Sequence, residues 1–151
     1  ILSSVVAADG TKEDFIKVNR GSKKMARQAD EWDKDDHYIT LQGHDTFKYA
    51  VKTMADHAHT VLDRANLKLD DVDWFVPHQA NKRIIDATAD RVGIDPNKVV
   101  VNIERFANTS AATIITALDE AIRDGRVQRG QTILLDAFGA GVTSGAILLR
   151  Y

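Results

Sequence analysis

Three short segments of the 151-residue chain carry groups that could stabilise negative charge. An imidazole stands at His78 within the segment 77–81 (PHQAN), a carboxamide stands at Asn108, and residues 139–141 (GAG) form the glycine turn. A neutral imidazole donates one hydrogen bond and an asparagine amide donates two. If both point at one carbonyl oxygen, each stabilises the charge that develops there by about 3–4 kcal/mol. A backbone N–H in the glycine turn could serve a second oxyanion.

Each segment also has a purely structural interpretation. A histidine that follows a strand commonly caps it or faces solvent, Asn108-Thr109-Ser110 is typical of a helix N-terminus, and Gly-x-Gly between strands is typical of a hairpin. Their occurrence at three successive strand ends favours the joint, chemical interpretation. His57 and His59 are two residues apart and so face different sides of a helix. We find no metal-ligand spacing, hydrolase triad or phosphate loop and expect no metal site.

The hydrophobic pattern predicts the elements that position these groups. Strands are expected at residues 1–8, 72–76, 98–103, 132–138 and 146–151, and helices at residues 46–66, 81–92 and 108–124. Strands that alternate with helices predict an α/β protein with a mixed, mostly parallel five-stranded sheet covered by helices. Ligands of such sheets bind beyond the carboxyl ends of the strands, which is where the three segments fall.

Composition narrows the class of protein. Hydrophobic residues make up 44% and charged residues 28%, as in an ordinary globular domain. The net charge of −2 disfavours a nucleic-acid partner. We see no apolar run near the ~20 residues of a membrane span and no basic leader before the opening strand, so we expect a cytoplasmic protein that does not contact membranes.

The chain has no cysteine, which excludes disulfides, zinc-thiolate sites and a cysteine nucleophile within it. The first residue is Ile1, in an apolar run, which favours a processed or truncated chain.

Residues 11–38 are polar and lack a sustained period. Acidic side chains cluster there around Trp32 and Lys34; they are Asp30, Glu31, Asp33, Asp35 and Asp36. We interpret residues 11–40 as a solvated surface excursion. A binding lid is the alternative.

Several motifs together resemble one enzyme family. Residues 76–81, followed by Arg83 and Ile84, resemble the histidine motif of the β-ketoacyl-acyl-carrier-protein synthase III family. Residues 108–111 (NTSA) resemble its asparagine motif, and residues 137–141 (AFGAG) resemble its carboxy-terminal glycine turn. Residues 118–121, with two later glycines, resemble its connecting helix. The resemblance extends from about residue 43 to residue 151 and is weak from residue 11 to residue 38.

The resemblance implies a fold and a reaction. Residues 1–151 would form a carboxy-terminal thiolase-like βαβαβαββ half, in which strand 1–10 is shared with a missing amino-terminal half. Such enzymes condense an acyl-coenzyme A primer with malonyl-acyl-carrier protein and start fatty-acid synthesis. The primer is loaded on a cysteine of the amino-terminal half, so this chain alone should be inactive. No cofactor is implied, because coenzyme A thioesters and phosphopantetheine are substrates.

The same resemblance implies partners and a surface to hold them. The partners would be acyl carrier protein, acyl-coenzyme A, the missing half and a second copy in a homodimer. Half an enzyme would expose a large apolar face, so we expect the chain to pair with its missing half or with another copy.

The resemblance also assigns roles to individual residues. His78 and Asn108 would bind the malonyl thioester carbonyl, and Ala140 would supply a backbone N–H to the acyl oxyanion. The residues along the pantetheine tunnel would be Gly43, Phe47, Asn81 and Phe138, and those facing the carrier protein would be Arg83 and Lys48. Elongating enzymes of this fold use two histidines, whereas this chain has an asparagine at the second place, and chalcone-synthase-like enzymes differ around the histidine.

Departures from the family pattern leave alternatives open. Val142 and Ser144 stand where larger aromatic residues are common, and His44 replaces a residue that is often small or amide-bearing. A related decarboxylating acyltransferase with another primer therefore remains a second hypothesis. A non-catalytic half-domain that acts as an interaction module is the third, and the absence of a cysteine motivates it.

Overall fold

The computed structural model describes residues 1–18 and 38–151. The strands are β1 (Ser3–Ala8), β2 (Ile16–Val18), β3 (Ile39–Leu41), β4 (Trp74–Pro77), β5 (Thr132–Gly139) and β6 (Thr143–Arg150). The helices are α1 (Gly43–Ala65), α2 (Lys82–Val92), α3 (Ile103–Phe106) and α4 (Ala112–Arg123). The acidic cluster around Trp32 lies outside the described residues, as do residues 19–37 of the segment for which a binding lid is the alternative.

The main sheet has the strand order β1-β6-β5-β4. Strands β4 and β5 are parallel, whereas β5 and β1 each pair antiparallel with β6. The predicted α/β class and the mixed sheet covered by helices are confirmed. Two details differ from the prediction. The main sheet has four strands among the described residues, because the strand expected at residues 98–103 is reduced to one parallel bridge between Phe75 and Val99. Two of its three strand pairs are antiparallel, so the sheet is not mostly parallel. The polar segment also contains order, since β2 and β3 pair antiparallel.

Apolar residues fill both faces of this sheet. Helices α1 and α2 cover one face, where Ala58, Val61, Phe75, Val92 and Leu134 belong to a single buried cluster. Helix α4 covers the other face, where Ala117 and Ala121 pack with strand residues. Burial of these side chains is the main driving force that holds the helices against the sheet. Helix α2 ends at Gly93, whose φ of 86° is the left-handed conformation expected after a helix.

Part of the apolar surface remains uncovered by the described residues. Ile1 is 85% exposed, Val6 in β1 is 87% exposed, and Ile115 in α4 is 64% exposed. Exposed apolar side chains mark an interaction surface where they form a large contiguous patch. In residues 1–18 and 38–151, no helix combines the length and the apolarity needed to cross a bilayer.

Candidate active site

One open cavity of about 1400 Å³ brings the three predicted segments together. Its lining includes every predicted catalytic, oxyanion and tunnel residue together with one predicted carrier-protein residue; they are Gly43, Phe47, His78, Asn81, Arg83, Asn108, Phe138 and Ala140. Lys48 is exposed on α1 and does not line the cavity. The chemical roles assigned to these residues remain predictions.

The loop that carries His78 is tied down by its own backbone and by Gln79. The His78 N–H donates to the carbonyl of Asp136 in β5 at 2.8 Å. The fully buried amide of Gln79 donates to the carbonyls of Pro77 at 2.8 Å and Val100 at 3.1 Å, and its oxygen accepts from the Asn102 N–H at 3.0 Å. These bonds satisfy buried backbone groups that would otherwise lack partners. They therefore hold the histidine loop against the segment that leads to Asn108.

The imidazole of His78 is half-buried and contacts helix α4. Its Nδ1 lies 2.5 Å from Oγ1 of Thr113, a side chain that is only 1% exposed. Burial lowers the pKa of His78 from its ordinary value of 6.5, because the charged ring would lose its hydration. At neutral pH the ring is therefore uncharged, with one N–H to donate.

Asn108 lies in the loop between α3 and α4. Its Oδ1 accepts from the Ser110 N–H at 2.8 Å, which leaves the Nδ2 amide without a partner among the described residues. Ala107, just before it, has φ 55° and ψ −163°, a conformation that is essentially restricted to glycine. Such strain costs about 1–3 kcal/mol and persists where surrounding structure imposes it. Asn108 thus presents two donor hydrogens from a strained, exposed loop.

The glycine turn joins β5 to β6, with Ala140 exposed at its tip. Gly141 has φ 129°, which disfavours any residue with a side chain. The Thr143 hydroxyl donates to the Ala140 carbonyl at 3.1 Å. Next to the turn, Asp9 and Val142 exchange two backbone hydrogen bonds, of 2.9 and 3.1 Å. The end of β1 therefore supports the turn that lines the cavity.

The cavity mouth combines an aromatic ring with an exposed cation. The Arg83 guanidinium lies 5.6 Å from the centroid of the Phe47 ring, within cation–π range. Asn81 accepts from the Arg83 N–H at 2.9 Å and so caps α2, which begins at Lys82 rather than at Asn81. Gly43 is the first residue of α1. The arrangement leaves the charge of Arg83 available to a partner.

Sequence reasoning did not predict the contacts or the burial of four residues around the cavity. Thr113 and Gln79 contact segments that are distant in sequence, and no local pattern indicates such contacts. Asp136 is 1% exposed, and among the described residues no side chain donates a hydrogen bond to its carboxylate. Burial raises its pKa well above the ordinary 3.8. Ser144 lies 2.9 Å from Nε2 of His57, a histidine that the sequence interpretation had set aside. The one sequence signal for Asp136 is that this carboxylate lies within an otherwise apolar strand.

No group of three or more metal-ligating side chains occurs in the described part of the chain. The uncharged donors around the cavity are suited instead to binding a developing oxyanion.

The chain is similar to known condensing enzymes in sequence. The sequence model of 3-oxoacyl-[acyl-carrier-protein] synthase III C terminal matches residues 62–151. A β-ketoacyl-[acyl-carrier-protein] synthase III of Pasteurella multocida is 50% identical over 127 residues, which are 84% of this chain and 40% of that protein. The enzyme of the same description from Clostridioides difficile is 41% identical over the whole chain and 46% of its own length.

Solved structures of synthases of the same description also resemble this chain in fold. The crystal structure of 3-oxoacyl-[acyl-carrier-protein] synthase III from Aquifex aeolicus matches with a TM-score of 0.87 and 40% identity, over 100% of this chain and 44% of that one. The priming β-ketosynthase of the R1128 polyketide pathway matches with a TM-score of 0.83 and 31% identity, over 97% and 43% of the two chains. The chain thus spans less than half the length of these relatives. It belongs to the β-ketoacyl-acyl-carrier-protein synthase III family and contains the family's carboxy-terminal domain.

Proposed function

We propose that this chain is the carboxy-terminal catalytic half of a β-ketoacyl-acyl-carrier-protein synthase III. The complete enzyme would condense an acyl-coenzyme A primer with malonyl-acyl-carrier protein in the cytoplasm and so start fatty-acid synthesis. The observation that carries the proposal is that His78, Asn108 and the glycine turn line the same cavity. A fold alone has no need of two uncharged donors and a glycine turn at one place.

The donors act when carbon dioxide leaves the malonyl thioester. The bond between the carboxylate carbon and the methylene carbon breaks, and its electron pair passes to the thioester carbonyl to form an enolate. His78 and Asn108 donate hydrogen bonds to that oxygen, which becomes more negative in the transition state than in the substrate. Stabilisation that grows towards the transition state lowers the barrier.

The enolate then attacks the acyl primer. Its carbon adds to the carbonyl of the acyl-cysteine, and the resulting oxyanion accepts a hydrogen bond from the N–H of Ala140. Collapse of this intermediate expels the cysteine thiolate and leaves the β-ketoacyl product on the carrier protein. The cysteine belongs to an amino-terminal half, since this chain has none.

Substrate and protein partners would approach from the cavity mouth. The pantetheine arm would run past Gly43, Phe47, Asn81 and Phe138. Arg83 and Lys48 are both exposed and positively charged, which suits contact with an acidic carrier protein. The exposed apolar side chains of β1 and α4 would pack against the amino-terminal half. The complete enzyme would form a homodimer.

The test separates decarboxylation from primer loading in the complete synthase that contains this chain. Removal of one such donor typically slows catalysis about 10²–10³-fold. We expect His78→Ala and Asn108→Ala to slow carbon dioxide release from malonyl-acyl-carrier protein by this factor, while mass spectrometry still detects the acyl-enzyme. The matched controls are His59→Ala and Asn97→Ala, two exposed residues outside the cavity. Wild-type decarboxylation in either cavity variant would refute the assigned role.

A second candidate differs only in the primer. The similarity to the priming β-ketosynthase of a polyketide pathway and the small residue Ser144, which lines the cavity, favour an enzyme that accepts another acyl group. Competition between acetyl-coenzyme A and longer or branched acyl-coenzyme A primers in the complete enzyme distinguishes the two candidates. Preference for acetyl-coenzyme A supports the first, and preference for a bulkier primer supports the second.

A further inference from the structure

The contact between His78 and Thr113 joins two elements that are far apart in sequence. His78 follows β4, and Thr113 lies in the first turn of α4, 35 residues later, yet Nδ1 and Oγ1 are 2.5 Å apart. The two backbone groups of His78 are held independently, because its N–H donates to Asp136 and its carbonyl accepts from Ala80. The Thr113 hydroxyl is therefore not needed to hold the loop, and its effect falls on the imidazole ring.

The protons of this pair can be placed by counting donors and acceptors. A hydroxyl has one proton, and a neutral imidazole has one N–H and one acceptor nitrogen. If Nδ1–H donated to Thr113, the hydroxyl proton would need another acceptor, and Thr113 Oγ1 has no second hydrogen bond in residues 1–18 and 38–151. A buried donor without a partner costs about 1–3 kcal/mol. If Thr113 donates to Nδ1 instead, both groups are satisfied.

We infer that Thr113 is a positioning residue whose hydroxyl donates a hydrogen bond to Nδ1 of His78. This bond keeps the single N–H of the neutral imidazole on Nε2. Nε2 is the ring nitrogen that has no partner among the described residues, and His78 lines the cavity. The ring then presents a donor to a substrate oxygen rather than a basic lone pair. This inference rests on the proposed function for its catalytic consequence, but the tautomer itself is a property of the protein.

Burial also favours an uncharged His78 ring that accepts at Nδ1. Thr113 is 1% exposed, so water does not compete for Nδ1 from that side. The lowered pKa of His78, which results from burial, keeps the ring uncharged at neutral pH. Only an uncharged ring has a lone pair on Nδ1 that can accept a hydrogen bond from the Thr113 hydroxyl.

The experiment reads the tautomer directly. The complete synthase is labelled with ¹⁵N-histidine, and long-range ¹H–¹⁵N correlation spectra identify the protonated nitrogen of His78, which is assigned by its loss in His78→Ala. We expect Nε2–H in the wild type and in Thr113→Ser, and a mixture of tautomers in Thr113→Val. Thr60→Val is the matched control, because it removes a hydroxyl that donates to the Asp56 carbonyl on α1, away from the cavity.

Kinetics provide the second measurement. Loss of the hydrogen bond should lower kcat for decarboxylation about tenfold in Thr113→Val with little change in KM, and Thr113→Ser should restore it. Nδ1–H in the wild-type spectrum would overturn the inference, and so would an unchanged Nε2–H tautomer in Thr113→Val. If Thr113→Val does not fold, the wild-type and Thr113→Ser spectra still show whether the His78 proton is on Nε2. Unchanged decarboxylation in His78→Ala would refute the proposed function while leaving the tautomer result intact.

Discussion

Asp9 and Val142 hold each other by two backbone hydrogen bonds, with N–H to carbonyl distances of 2.9 and 3.1 Å. Asp9 also accepts from the Tyr49 hydroxyl at 2.9 Å. The turn after β1, helix α1 and the residue that follows the glycine turn therefore meet at one residue, Asp9, through its backbone and its carboxylate. This junction lies beside Ala140, the residue proposed to stabilise the acyl oxyanion.

Asp9→Asn tests the electrostatic part of this junction. The pKa of Tyr49 is raised above its ordinary value of 10.0, chiefly because its hydroxyl donates to the Asp9 carboxylate. We expect Asp9→Asn to bring the Tyr49 titration back towards 10.0, measured by ultraviolet absorbance against pH with Tyr49→Phe as the blank. Asp63→Asn is the control, since Asp63 is an exposed carboxylate of the same helix. An unchanged Tyr49 titration in Asp9→Asn would show that the hydrogen bond does not form.

Ala107→Gly should stabilise the protein. Ala107 occupies φ 55° and ψ −163°, where a side chain costs about 1–3 kcal/mol, whereas glycine adopts this conformation readily. After the entropy that glycine loses on folding is subtracted, we expect the free energy of unfolding to rise by about 1 kcal/mol in urea titrations. Ala111→Gly should act in the opposite direction, because Ala111 has helical φ and ψ of −60° and −21°. Destabilisation by Ala107→Gly would contradict the strain.

Asp136→Asn should remove the loss of folding stability that ionisation of this buried carboxyl causes at higher pH. Burial raises the pKa of Asp136, so the folded protein holds this proton more tightly than the unfolded chain does. The contribution of Asp136 to wild-type stability therefore falls as the pH rises from about 3.8 through the folded pKa. Asparagine cannot ionise, so the variant's free energy of unfolding relative to wild type should increase with pH over that window. Denaturant titrations at pH 4, 6 and 8 measure the difference, and a constant difference would disprove the idea.

His78→Gln should change the pH dependence with the opposite sign. Burial lowers the pKa of His78, so the unfolded chain binds the proton more tightly than the folded protein does. The contribution of His78 to wild-type stability should then fall as the pH drops from 6.5 through the folded pKa. The variant should lose this contribution, while His57, whose pKa burial also lowers, still contributes in the same direction and Asp136 in the opposite one. An identical slope in wild type and His78→Gln would count against a buried, uncharged imidazole.

Local patterns predicted most of the elements, and tertiary contacts moved their boundaries. Helix α4 was expected from residue 108 but begins at Ala112, because Asn108 captures the Ser110 N–H and Ser110 itself has φ 55°. The apolar run at residues 98–103 predicted a strand, but only Val99 forms a bridge, and the Asn102 N–H is taken by the side chain of Gln79. Side chains that compete for backbone hydrogen bonds cannot be recognised from hydrophobic periodicity.

The sequence by itself determined the helices α1 and α2, the strands β4 and β5, the family, and the candidate residues His78, Asn108 and Ala140. These follow from side-chain period, turn residues and motifs, which are local properties. Only the tertiary structure decided that Thr113 meets the His78 ring, that Gln79 ties the loop to residues 100–102, and that Asp136 is buried without a side-chain partner among the described residues. Each of these depends on which segments the sheet brings side by side, and packing of the whole chain sets that.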